Sequence, residues 1–267
     1  MEAGQNIASP ASAPEVEAKP QSFFSRLSGV IFSPSTTFTE IGRAPRVLIP
    51  LLCLALLGAA VRFVVINRYG YENMVRKQTE MTIGMMERFG APPAAIEQAR
   101  ARAEEQLKPE KLARSKMWDT ASSTIGFPLI VLIVTGVFKL FSLILSANNR
   151  FKGVLSAVSF AYLAVGIVYL VIVTISIYLK NPEDIDVLNP VASNLGVIMT
   201  IAGVGSSKFL TGLASWIDLF GIWRIALLSI GCAAVTTKMK PGTASIPHIL
   251  LYLIAAVILS FLTSFMS

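Results

Sequence analysis

Long apolar stretches separated by short polar loops dominate the hydropathy pattern of the chain. A helix needs roughly 20 apolar residues to cross the hydrocarbon core of a bilayer, and four stretches reach that length. A fifth is interrupted by Asp218 and Arg224 but is otherwise apolar. The pattern therefore predicts an all-α, polytopic membrane bundle with five transmembrane helices. The predicted spans are residues 47–66, 125–147, 153–179, 216–236 and 246–265.

A further apolar segment, residues 191–204, is too short and too rich in glycine to span comfortably. It predicts an interfacial or re-entrant helix, and a sixth span stays open at this point. Residues 1–21 are rich in Ala, Pro, Ser and Glu, a composition typical of a disordered tail. The sequence thus predicts a tail at 1–21 followed by a membrane domain at 22–267.

Two short amphipathic helices are predicted between the tail and the first span. In the first, the apolar residues fall at helical spacing with serines and Arg26 between them. Such a stripe indicates a helix in the membrane interface or one packed on the protein's own bundle. Ser33 and Pro34 supply an N-cap and a first-turn proline for the second helix. The stripe consists of Phe23, Phe24, Leu27, Val30 and Ile31.

Residues 68–124, after the first span, form the only strongly polar region. They hold ten basic and eight acidic residues. Segments 72–89 and 92–107 read as helices broken by Gly90-Ala91-Pro92-Pro93. The region therefore predicts a helical hairpin outside the bilayer, and its mixed charges favour a solvated surface over a binding patch.

The composition supports the membrane assignment. Of 267 residues, 54% are hydrophobic and only 15% charged, whereas soluble domains have about 25% charged residues. These values exclude a disordered chain and argue against a soluble enzyme. The net charge of +7 divides by predicted location into +4 on the cytoplasmic side, +2 in the spans and +1 outside. No basic face for nucleic acid emerges from this division.

The positions of Lys and Arg near the span ends predict the orientation. The N-terminal segment, the second loop (Arg150 and Lys152) and the fourth loop (Lys238 and Lys240) are basic, whereas the third loop carries three acidic residues. By the positive-inside rule, the N-terminus is cytoplasmic and the C-terminus lies on the far side. The sequence thus predicts a multi-pass protein of the inner, cytoplasmic membrane.

Four ionisable residues fall inside the predicted spans: Arg62, Lys139, Asp218 and Arg224. Each costs about 2.5–3.5 kcal/mol at the bilayer centre unless it has a partner or reaches water. We expect Arg62 to pair with Asp218 and Lys139 to reach the surface along its long stem. The alternative interpretation is an ion or substrate path lined by these residues.

The sequence contains none of the catalytic signatures that would indicate an enzyme. It has no phosphate-binding glycine loop, no H-E-x-x-H zinc pair and no G-x-S-x-G elbow. Its single histidine, His248, follows Pro247 at the start of the last span. We therefore expect no catalytic residue, no metal and no cofactor.

Three segments carry a resemblance to a known family. Residues 30–34 (VIFSP) precede 45–50 (PRVLIP), residues 150–155 (RFKGVL) precede 160–163 (FAYL), and residues 217–223 (IDLFGIW) precede 227–231 (LLSIG). Together they resemble the Yip-domain (Ypt-interacting protein) family, especially its bacterial branch. Asp218, Phe220 and Trp223 match the family's D-x-F-x-x-W pattern. We expect Asp218 to cap or pair at the end of its helix and Trp223 to pack in the bundle.

The resemblance implies five spans, a cytoplasmic N-terminus and a function without catalysis. Eukaryotic members of the family serve vesicle traffic and associate with small prenylated GTPases and with each other. The short tail and the inserted region 68–124 depart from that pattern and argue against GTPase binding here. The expected function is a scaffold or interaction protein in membrane organisation, with the bilayer, a second copy or other membrane proteins as partners. The alternative is a small-solute or lipid transporter with a path lined by Arg62, Lys139 and Arg224.

Overall fold

The computed structural model describes residues 21–181, 190–204 and 207–266. Within these ranges the chain forms eleven helices and no β-strand, so the all-α prediction is confirmed. Residues 1–20 of the predicted tail and the acidic part of the third loop lie outside the described residues. The helices are α1 Phe23–Phe32, α2 Pro34–Arg43, α3 Leu48–Tyr69, α4 Tyr71–Arg88, α5 Pro93–Gln106, α6 Pro109–Ile144, α7 Phe151–Leu179, α8 Leu195–Ile201, α9 Lys208–Ser215, α10 Leu219–Ala234 and α11 Pro241–Met266.

Four helices in the described residues are long and apolar enough to cross a membrane: α3, α6, α7 and α11. The predicted fifth span corresponds to α10, which has 16 residues. At 1.5 Å per residue it is about 24 Å long, shorter than a hydrocarbon core of about 30 Å. The count of five spans therefore stays a prediction.

Helix α6 begins 16 residues before the predicted start of the second span. The polar segment before residue 125 continues the helix because no glycine or proline interrupts it between Pro109 and Gly126. Pro128 lies inside the same helix. The region 68–124 is thus divided between α4, α5 and the first turns of α6.

Helix α7 lies at the centre of the bundle and contacts α3, α6 and α10. Phe138 of α6 and Phe160 of α7 are fully buried in one core that also contains Leu54 of α3. A Cβ atom on Gly166 would clash with the side chain of Leu57. This glycine therefore allows α3 and α7 to approach closely.

Three chain segments that are distant in sequence meet at one end of the bundle. Asn149 and Thr236 form an isolated β-bridge, and the backbone amide of Thr237 donates to the Asn148 carbonyl at 2.9 Å. The Arg46 amide, just before α3, donates to the Ser156 hydroxyl near the start of α7 at 3.2 Å. The N-terminal segment and the second and fourth loops therefore share one end.

At the opposite end, α3 is tied to the end of α7. The Arg68 guanidinium donates to the Lys180 carbonyl at 3.1 Å, and the Asn67 amide donates to the Tyr178 hydroxyl at 3.1 Å. Helices α4 and α5, separated by a turn with Gly90 at φ +69°, pack on each other beyond α3. Their position outside the bilayer stays a prediction.

Helix α1 has one face packed on the bundle and another exposed, so it has features both of a bundle helix and of a helix in the membrane interface. Val30 and Arg26 are buried, and the Arg26 guanidinium donates to the Ala44 carbonyl at 2.6 Å, so this face packs on the protein. Burial, with a smaller contribution from Arg46, lowers the pKa of Arg26. On the other face, Phe24 is 77% and Phe32 81% exposed. These two rings are available to the membrane interface.

The start of α2 differs from the prediction in one detail. Ser33 is the N-cap residue and Pro34 occupies the first turn, as predicted, but the Ser33 side chain makes no capping bond. Its carbonyl instead accepts from the Thr37 hydroxyl at 2.9 Å. The Thr37 side chain thus stabilises the first turn of α2 by a hydrogen bond to the N-cap carbonyl.

The apolar segment 191–204 contains only the seven-residue helix α8, about 10 Å long. This helix is far too short to cross a bilayer. Helix α8 packs on α9, and α9 packs on α11. That this segment is interfacial or re-entrant stays a prediction, with both positions open.

Candidate functional site

Asp218 is the N-cap of α10. Its Oδ1 accepts from the Phe220 amide at 2.8 Å and its Oδ2 from the Gly221 amide at 3.1 Å. A carboxylate at this position satisfies two of the amides that a helix start leaves without partners, and its charge opposes the helix dipole favourably. The capping role expected for Asp218 is therefore seen in the structure.

A short β-type pairing joins the start of α10 to the start of α8. Asn194 and Asp218 form an antiparallel bridge. The Leu195 amide donates to the Ile217 carbonyl at 3.0 Å, and the Leu219 amide donates to the Ser193 carbonyl at 3.3 Å. Because both helices begin at this pairing, their N-terminal ends lie side by side.

Tyr252 of α11 closes the same region from another side. Its hydroxyl donates to the Trp216 carbonyl at 2.6 Å and lies 3.4 Å from Oδ2 of Asp218. The rings of Tyr252 and Trp216 meet edge to face, with centroids 5.5 Å apart. A Cβ atom on Gly221 would clash with the Tyr252 hydroxyl, so only glycine allows this approach.

Arg224 lies close to two aromatic rings. Its guanidinium carbon is 5.3 Å from the ring centroid of Tyr162 and 5.9 Å from that of Tyr252. Such contacts contribute about 2 kcal/mol when they are shielded from water. Among the described residues, no carboxylate lies within ion-pair distance of Arg224, and its guanidinium makes no hydrogen bond.

These groups surround a cavity of about 520 Å³. Asp218, Arg224 and Tyr252 line its polar part. Its apolar part is lined by Leu57 and Val61 of α3, Phe127 of α6, Val165 of α7 and Leu259 of α11. Small-molecule sites usually measure about 300–1,000 Å³ and combine an apolar lining with a few placed polar groups. The cavity is therefore the candidate functional site.

Arg62 does not pair with Asp218, so that part of our expectation is wrong. Arg62 instead forms an ion pair with Asp119. Asp119 belongs to the early part of α6, within the polar region 68–124 that we expected to form a helical hairpin outside the bilayer. Because the helix is continuous from Pro109, it carries Asp119 alongside α3.

Lys139 is also engaged by the protein and does not line the cavity. Its Nζ donates to the carbonyl and to Oδ1 of Asn149, both at 2.8 Å. Asn149 lies in the loop between α6 and α7, so the lysine stem reaches the end of the bundle. Of the three cations placed on a hypothetical path, only Arg224 lines the cavity.

The remaining residues of the D-x-F-x-x-W pattern pack in the bundle. Phe220 is buried and meets Tyr169 edge to face, with centroids 5.3 Å apart. Trp223 is half-buried against the main core. The site residues that the sequence reasoning missed include three tyrosines, Tyr162 and Tyr169 of α7 and Tyr252 of α11. Their signal was available, since a tyrosine within an apolar span needs a partner for its hydroxyl.

No group of three or more His, Cys, Asp or Glu side chains in the described ranges is placed to hold a metal ion. Comparison with protein families matches a model of the Yip1 domain to residues 28–263. This match covers most of the chain and confirms the resemblance inferred from its motifs. Neither the comparison with curated proteins nor that with solved structures gave a match.

Proposed function

We propose that this chain, which belongs to the Yip1 domain family, is a non-enzymatic scaffold or interaction protein of the membrane. The family match and the four long apolar helices indicate a multi-pass membrane protein. The scaffold role is our proposal. Its partners are a second copy of the chain or other membrane proteins, rather than a small GTPase.

The observation that carries the proposal is that three of the four ionisable residues predicted inside the spans bind different partners at different places in the bundle. Arg62 pairs with Asp119, Lys139 binds Asn149, and Asp218 caps α10. A transport path needs polar groups that line one continuous route across the membrane. Engagement at separate places supports the scaffold interpretation over the transporter interpretation.

We also propose five crossings, with α10 as the additional one. Helix α10 runs from the cavity to the bundle end where the fourth loop meets the second, because Thr236 bridges Asn149. This end is the basic one, which by the positive-inside rule makes it cytoplasmic. The N-terminus is then cytoplasmic, the C-terminus lies on the far side, and the membrane is the inner one of the cell.

Cysteine labelling tests this topology. In a chain with Cys53 and Cys232 replaced by serine and alanine, we introduce Glu97→Cys in α5 or Lys240→Cys in the fourth loop; both positions are exposed. An impermeant maleimide applied outside intact cells should label the first variant and not the second until the membrane is opened. Labelling of both, or of the second alone, would overturn the topology.

The scaffold role is tested by comparing association with flux. Cross-linking in native membranes followed by purification should recover a defined membrane-protein partner or a dimer, in both the wild type and Arg224→Gln. Vesicles containing the purified chain should pass anionic solutes and labelled lipids no faster than protein-free vesicles. Flux above that level, lost in Arg224→Gln and kept in Arg150→Gln, would replace the scaffold with a transporter.

A further inference from the structure

We propose that the cavity beside α10 binds an anionic amphiphile, with its phosphate or carboxylate group at Arg224 and its apolar chain against the apolar residues that line the cavity. This proposal is independent of the scaffold role, since a bound lipid is compatible with either function. It rests on the charge of Arg224, on the apolar residues that line the cavity and on the binding of the Asp218 carboxylate to two backbone amides.

Arg224 supplies a positive charge that the described part of the chain does not neutralise. Its guanidinium carbon lies over the rings of Tyr162 and Tyr252, 5.3 and 5.9 Å from their centroids. The N–H groups lie at the edge of the guanidinium plane, and none of them donates to a described residue. A planar guanidinium with five donors matches the paired oxygens of a phosphate or carboxylate.

The carboxylate in the cavity does not compete for Arg224. Asp218 accepts from two backbone amides and lies at the positive end of the α10 dipole. It precedes Arg224 by six residues, which is about 9 Å along the helix axis. An anionic group is therefore attracted to the Arg224 side of the cavity, and the neutral polar part of a headgroup faces Asp218 and Ser193.

The apolar lining of the cavity is suited to a hydrocarbon chain. Leu57, Val61, Phe127, Val165 and Leu259 come from four different helices and offer no charged group. A simple inorganic anion would leave this surface unfilled, whereas an amphiphile covers it and gains the free energy of apolar burial. Arg224 therefore accounts for the anionic headgroup of the ligand, and the apolar lining accounts for its hydrocarbon chain.

Binding is tested on the full chain, purified in neutral detergent and stripped of lipid. Native mass spectrometry and thermal unfolding follow its titration with phosphatidylglycerol, phosphatidylcholine or inorganic phosphate, since a ligand of the folded state raises the unfolding temperature. We expect phosphatidylglycerol to bind with a Kd about tenfold lower than phosphatidylcholine, because its phosphate is not masked by a choline cation. Inorganic phosphate alone should give no shift at matched concentration.

Three variants locate the site. Arg224→Gln should remove the preference for phosphatidylglycerol, and the matched control Arg150→Gln, an exposed cation away from the cavity, should keep it. Leu259→Trp fills the apolar wall and should weaken both lipids by about tenfold. This last variant keeps the test valid if Arg224→Gln does not fold.

Equal binding of the two lipids by the wild type would overturn the proposal, whatever the variants do. An inorganic phosphate shift as large as that of phosphatidylglycerol would show an anion site without the amphiphile. A loss of preference in Arg150→Gln as large as in Arg224→Gln would assign the effect to the surface charge of the protein.

Discussion

The capping role of Asp218 leads to a quantitative prediction that separates it from an ion pair. In Asp218→Ala the amides of Phe220 and Gly221 lose their acceptors, which should lower the free energy of unfolding by about 1–2 kcal/mol. Asparagine also caps helices, so Asp218→Asn should lose only the interaction of the charge with the helix dipole, about 0.3–1 kcal/mol.

The same measurement applied to Arg62 identifies its partner. A double-mutant cycle of Arg62→Gln with Asp119→Asn should give a coupling free energy of about 1 kcal/mol, the upper range for partly exposed pairs. The cycle of Arg62→Gln with Asp218→Asn should give coupling within about 0.3–0.5 kcal/mol of zero, as for separated sites.

Reversible unfolding in mixed micelles, followed by tryptophan fluorescence, gives these free energies. The reasoning fails if Asp218→Asn costs as much as Asp218→Ala, because the charge would then outweigh the cap. It also fails if Arg62 couples more strongly to Asp218 than to Asp119. Far-ultraviolet circular dichroism of each variant checks that the helices are retained.

Three further predictions follow from other contacts. Gly221→Ala should lower the free energy of unfolding by about 1–3 kcal/mol because its methyl group meets the Tyr252 hydroxyl, whereas Gly136→Ala, with open space around it, should not destabilise. Tyr252→Phe removes a hydrogen bond to the carbonyl at the end of α9 and should cost about 1 kcal/mol in the same unfolding measurement. A hydrogen bond from Lys111, followed by the charge of Lys111, lowers the pKa of Glu105 in the folded protein. The pair therefore stabilises the fold above the pKa of Glu105 in the unfolded chain, and this stabilisation is lost as the pH falls through the pKa of Glu105 in the folded protein. Carboxyl NMR of Lys111→Met should show a higher pKa for Glu105 than in the wild type.

Much of the helical framework could be predicted because its signals are local. The predicted third span, 153–179, differs from α7 by two residues at its start, since a continuous apolar stretch defines a membrane helix without reference to its neighbours. The start of α6 at Pro109 was missed for the opposite reason. Hydropathy locates the boundary of an apolar segment, whereas a helix continues through polar residues until a breaker or cap ends it.

The candidate site could be predicted only in part. The separation of six residues from Asp218 to Arg224 was visible in the sequence, but the partners of both depend on how helices pack. Tyr252 is 34 residues from Asp218, and the pairing of Asn194 with Asp218 joins residues 24 apart. Arg62 was assigned the wrong acidic partner because no periodicity specifies which side chains face each other across two helices.

The contribution of Tyr252 to the cavity has a consequence for the order of biosynthesis. Tyr252 belongs to α11, which leaves the ribosome after every other described helix. Until α11 is inserted, Arg224 has one of its two ring contacts, that with Tyr162, and the Trp216 carbonyl lacks the hydroxyl that it accepts from in the finished fold. Because a cation without its partners is costly in the bilayer, we expect the nascent chain to keep Arg224 near water or within the insertion machinery. A ribosome arrested before Tyr252 should yield a chain whose Arg224 is still accessible to water.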